Sequence, residues 1–116
     1  MKKIAIPIFE NRISNRLDSC ENIILYFAER NQIKSYKTVH IVRGSPIIKL
    51  NMLLALEMDV LICNGITDFY ARKLSDSNIQ VIPWISGEVQ EVIGQYLNGS
   101  LRPFNVKEPN QIKKNI

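Results

Sequence analysis

The chain has 116 residues, 46% of them hydrophobic, and a formal charge of +4. That length supports one domain burying roughly two-thirds of its unfolded surface, so neither a disulfide framework nor a structural metal is required. Cys20 and Cys63 lie too far apart in sequence for a CxxC motif, which fits a reducing cytoplasm, and no apolar run is long enough to span a bilayer.

The N-terminal MKKIAIPIFENR is not expected to act as a signal peptide. Its apolar run is short, Pro7 interrupts it, and no small-residue cleavage site follows. Half of the excess charge sits in the last ten residues, where Lys107, Lys113 and Lys114 outweigh Glu108. The body of the chain is thus not basic enough to indicate nucleic acid as a partner.

Lys3 to Phe9 reads as a buried first strand. Pro7 cannot donate to a ladder, so a bulge or a place near the strand end is expected there. Glu10 to Ser19 reads as a polar loop. Asn22 to Glu29 and Ile33 to Val42 are rich in aromatic and β-branched residues, and Arg30-Asn31-Gln32 between them predicts an antiparallel hairpin. Gly44 breaks the chain. Ser45 as N-cap and Pro46 at the first helical position start a helix that runs to about Glu57. Its apolar spacing predicts a core face of Ile47, Leu50, Leu53 and Leu54.

Asp59 to Pro83 is the most informative stretch. An apolar strand to Cys63 ends in Asn64-Gly65. Thr67 or Asp68 caps a helix running to about Ser77, and a second apolar strand spans Ile79 to Ile82. This is a strand, crossover helix and parallel strand, with both strands expected to be buried on both faces. Ser86 is expected to cap a third helix, Gly87 to Leu97, closed by Asn98-Gly99. The order β-β-β-α-β-α-β-α predicts an α/β fold, a mixed five-stranded sheet with helices on both faces. One domain is expected over residues 1–106, followed by a flexible basic tail at 107–116.

Ligands of such sheets bind at the carboxyl ends of the parallel strands, where loops run into helix N-termini. Arg12 and Arg16, Asn64 to Thr67, and Ser86 with Gly87 fall there. Free N–H groups and helix dipoles favour an anion, and Trp84 would supply an apolar wall. Equally, Gly65 and Gly87 read as turn residues and Ser86 as a cap. His40, the sole histidine, reads as an outward strand residue. Cys63 reads as a buried, inert thiol, with a soft-metal ligand as the alternative. No GxSxG, GxGxxG or P-loop pattern is present.

IAIPIF, RISNRLDS, DVLICNGI, IQVIP and SGEVQEVIGQYLNG together resemble the dinitrogenase iron–molybdenum cofactor biosynthesis family, which includes NifX-type proteins. The resemblance runs from about Lys3 to Phe104. It implies a ribonuclease-H-like fold and a non-catalytic binding or carrier role toward an anionic iron–sulfur or iron–molybdenum cluster, or an oxyanion. It matches Arg12, Ser14 and Asp18 to the family's first-loop motif, Cys63, Gly65 and Ile66 to the second, and Ser86 with Gly87 to the third. Asn15 and Arg16 replace the motif's proline and its neighbour. The loop also lacks the histidine of cluster-holding members, and the chain lacks a Pro-Gly-Cys tail. The rival readings are a protein–protein module or homodimer with a vacant site, and an enzyme acting on a small anionic substrate.

Overall fold

A computed structural model of the protein describes residues 1–103. They form β1 (Lys2–Phe9), β2 (Arg12–Ile13), β3 (Asn22–Glu29), β4 (Gln32–His40), α1 (Pro46–Ala55), β5 (Val60–Ile62), α2 (Asp68–Asp76), β6 (Gln80–Ile82) and α3 (Val89–Asn98). The expected order is present with one addition. The polar loop after β1 contains the two-residue strand β2. The expected domain end at residue 106 and the tail at 107–116 lie outside the described residues.

The six strands make one mixed sheet in the order β4-β3-β1-β5-β6, with β2 paired to β1. β3 is antiparallel to β1 and β4, whereas β5 is parallel to β1 and β6. Arg30 and Asn31 turn the β3–β4 hairpin with φ of 55° and 64°. That left-handed pair suits the right-handed twist of the two strands it joins.

Strand alternation divides the core between the two faces of the sheet. Ile4, Ile6, Val60 and Ile62 face α3, which packs on them through Val89, Val92 and Ile93. Ala5, Leu25, Leu61 and Cys63 face α1 and α2, which contribute Leu50, Leu53, Tyr70 and Leu74. β5 is buried along its length, as its apolar sequence requires. β6 departs from expectation. Gln80 is exposed and Val81 and Ile82 are half-buried, because β6 is a sheet edge.

Pro7 lies inside β1 without a bulge, opposite Ile23. Its carbonyl accepts from the Ser14 N–H at 2.9 Å, on the side away from β3. The N–H and C=O of an antiparallel residue point the same way, so the missing donor falls where β1 changes partner from β5 to β2. No ladder bond to β3 is lost.

α1 differs from its apolar spacing. The Ser45 hydroxyl caps it as expected, accepting from the Ile48 N–H. However, Ile47 is 55% exposed and Leu54 only half-buried, while Lys49 is 6% exposed. The Lys49 ammonium donates to the carbonyls of Asp18 and Cys20, each at 2.9 Å. The buried face of α1 is therefore rotated toward Lys49, which the chain after β2 covers, and away from Ile47. α3 begins two residues later than expected and Ser86 does not cap it. Glu88 stands at the N-cap without a side-chain bond. The Val89 N–H instead donates to the Asn11 carbonyl at 2.9 Å, so the first loop takes the place of a cap.

Candidate functional site

The three loops at the carboxyl ends of β1, β5 and β6 are joined by backbone hydrogen bonds. In the first loop, Leu17 N–H donates to the Gly65 carbonyl at 2.8 Å, and Gly65 N–H donates back to Asn15 at 2.9 Å. Further back, Ile13 N–H donates to Gly87 at 3.0 Å. The third loop closes the ring, with Trp84 N–H on the Asn64 carbonyl at 3.1 Å and Ile85 N–H on Cys63 at 3.0 Å. Arg12, Ser14, Asn64, Gly65, Ile66, Thr67, Ser86 and Gly87 thus belong to one edge. Asp18 lies at its margin, toward α1.

The two motif glycines have local reasons. A Cβ on Gly65 would sit 2.9 Å from the Asn15 carbonyl, closer than real Cβ contacts come. Gly87 has φ +123°, a region that side chains avoid. Ser14 is buried, and its hydroxyl donates to the Arg16 carbonyl at 3.3 Å, holding the loop's turn. Thr67 is the N-cap of α2 but makes no side-chain cap bond. Ser86 is exposed.

Trp84 is the irregular residue of the edge. Ile82 and Ile85 both join the α3-side core, although three residues of regular strand would put them on opposite faces. The chain accommodates this by turning through Trp84 at φ 67°. A bulky residue there costs about 1–2 kcal/mol.

The electrostatics are mixed. Arg16 is held by Asp18, with Nε 3.1 Å from a carboxylate oxygen. Arg12 is exposed and has no carboxylate within 4.0 Å among the described residues, although Glu88 is its cross-strand neighbour. Asp68 stands in the first turn of α2 and Glu91 in that of α3. These carboxylates already complement the helix dipoles that were expected to attract an anion.

The thiols do not fit metal ligation. Cys63 is fully buried, and burial pushes its thiol from 9.0 up to about 12. Burial also raises Cys20, with the nearby Lys49 ammonium opposing the shift. The thiolate is the form that binds metal, and both sites disfavour it. Among the described residues, no group of three or more His, Cys, Asp or Glu is placed to hold a metal ion. His40 is exposed, as expected, and meets Asn22 at 3.4 Å.

Two concavities lie beside the edge. One of about 570 Å³ opens between α3 and the β3–β4 hairpin, bordered by Glu10, Glu88, Tyr26 and Tyr36. Another, of about 310 Å³, is lined by Asp18, Cys20, Glu21, Arg43 and Lys49. Lys49 is the residue that pattern reading missed. The signal was present as a lone cation inside the apolar run IIKLNMLL, but it reads first as a solvated helix position.

Residues 1–99 match the family model described as dinitrogenase iron-molybdenum cofactor. Among solved structures, PH0822 is similar at 16% identity with a TM-score of 0.82, covering 87% of this chain and 93% of that one. A dinitrogenase candidate from Methanocaldococcus jannaschii is 22% identical with a TM-score of 0.72, covering 86% and 91%. The apo form of the orange protein from Desulfovibrio gigas is 16% identical with a TM-score of 0.72, covering 89% and 92%. At these identities the likeness establishes a shared fold. No curated protein matches the chain.

Proposed function

The chain belongs to the dinitrogenase iron-molybdenum cofactor family, and from that premise we propose a non-catalytic binding or carrier protein whose cargo is an anionic metal cluster or oxyanion. The cargo docks at the strand-end edge. The observation that carries this reading is the joining of three loops into one surface on which Arg12 has no ion-pair partner among the described residues. Arg12 supplies a planar fork of donors for an anionic oxygen or sulfur. Asn64, Thr67 and Ser86 add polar groups around it. Because both thiols are buried and protonated, the cargo is held by charge and hydrogen bonds, not by thiolate ligation.

Two finer readings accompany this proposal. The sheet order β4-β3-β1-β5-β6 supports a ribonuclease-H-like shape, taken as shape alone with no nuclease chemistry implied. A cytoplasmic location suits two free cysteines. No helix of the described residues is long and apolar enough to cross a membrane.

A protein–protein role is the second reading. The groove of about 570 Å³ with exposed Tyr36, together with the carboxylates at the starts of α2 and α3, favours it. The test is anaerobic purification with metal analysis, followed by equilibrium dialysis against molybdate at low and high salt. Copurifying metal, or molybdate binding that weakens with salt and with Arg12→Ala, supports the cargo reading. Metal-free protein that binds no molybdate, yet self-associates, favours the interaction module.

A further inference from the structure

Among the described residues, six other than glycine have positive φ: Glu10, Arg30, Asn31, Glu57, Asn78 and Trp84. The first five are exposed polar residues at tight turns or just past helix ends. Polar side chains at such positions are commonplace. Trp84 is different. The fold needs an irregular residue here so that Ile82 and Ile85 can face the same core, but that need would be met at lower cost by glycine or asparagine. Core packing does not explain the tryptophan either, because its side chain belongs to neither core cluster and the residue is 42% exposed. Its indole N–H has no hydrogen-bond partner among the described residues.

A backbone hydrogen bond ties Trp84 to Asn64, the residue next to the Gly65 that anchors the first loop. We infer that Trp84 is a ligand-contacting residue of the strand-end edge, retained against its backbone preference because its indole forms one wall of the cargo site. The inference rests on the cargo reading above. The side chain suits it chemically: indole is a donor only, so its N–H meets an anionic oxygen without competing for protein acceptors. Its ring meanwhile excludes water from one side of the anion, which strengthens the attraction of Arg12. Strain kept at an exposed position, with the conformation fixed by bonds on both flanking peptides, is a pattern of functional sites.

The chain has a single tryptophan, so its indole N–H gives one resolvable NMR cross-peak. Molybdate is the probe, titrated into the whole protein, with equilibrium dialysis run in parallel on wild type, Trp84→Asn and Trp84→Phe. The indole peak is expected to shift along with the loop amides. Trp84→Asn is expected to keep or raise Tm, since asparagine tolerates the left-handed region, while weakening molybdate binding about threefold to tenfold. Trp84→Phe keeps the wall but lacks the donor, and should fall between the two. Molybdate binding by dialysis with a still indole peak and unchanged affinity in Trp84→Asn would overturn this inference and leave the cargo reading standing. A fall of several degrees in Tm for Trp84→Asn would also overturn it, by making the indole a packing element. Absence of molybdate binding to wild type would remove both.

Discussion

The antiparallel and parallel halves of the sheet behave differently. β3 and β4 are joined by a two-residue turn and end on an exposed edge, where β4 buries only parts of Ile33 and Val39. β1, β5 and β6 run parallel, so their carboxyl ends lie on the same side of the sheet, and each leads into a loop there. Those loops have unpaired backbone groups, and here they satisfy one another across Asn15–Gly65, Ile13–Gly87 and Trp84–Asn64. The shared strand direction therefore gathers side chains from distant sequence on one side of the molecule. The hairpin half instead borders the groove beside α3, through Tyr26 and Tyr36.

That contrast can be broken by mutation, beginning in the parallel half. Leu61 is fully buried at the centre of β5, and Leu61→Ala should cost about 2–5 kcal/mol in chemical denaturation. Gly65→Ala forces a methyl against the Asn15 carbonyl, so about 1–3 kcal/mol should be lost, with faster amide exchange at Leu17 as the local signature. Lys49→Met leaves the Asp18 and Cys20 carbonyls without their donor. A loss of about 1–3 kcal/mol is expected, and a cost below half a kcal/mol would mean that water replaces the ammonium freely.

A smaller effect concerns pH. The folded Cys63 thiol is raised from 9.0 to about 12, whereas the unfolded thiol ionises near its ordinary value. The fold thus holds a proton that the unfolded chain releases. This contribution is fully present below about pH 9 and declines as pH rises from there toward 12. Cys63→Ala should flatten the decline in denaturation midpoints measured from pH 8 upward. In the hairpin half, Lys37→Ala on exposed β4 should change stability by no more than about 0.5 kcal/mol.

Much of this contrast was legible in the sequence. The apolar run ending at Cys63 identified β5, and the Ser45-Pro46 pair fixed the start of α1. Gly99 closes α3 in the left-handed conformation that Asn98-Gly99 suggested. The missed features are long-range. β2 forms only because the first loop meets β1 and Glu88, and no local pattern encodes that meeting. Lys49 turns inward because two carbonyls from a distant loop await it. Ser86 loses its capping role because Asn11 supplies the acceptor first. The candidate edge and the acidic start of α2 at Asp68 were legible in the sequence, but the strain at Trp84 depends on how the chain folds.

The central claim is that the joined loops of the parallel half form one anion-binding surface. It is tested most directly by mapping amide shifts over the whole chain as molybdate is added, in wild type and in Arg12→Ala. Shifts should concentrate at Gly65 to Asp68 and at Ser86 to Glu88, leave β3 and β4 unmoved, and shrink in the variant and at high salt. Shifts centred on the lysines of β4, or equal in the variant, would contradict the account.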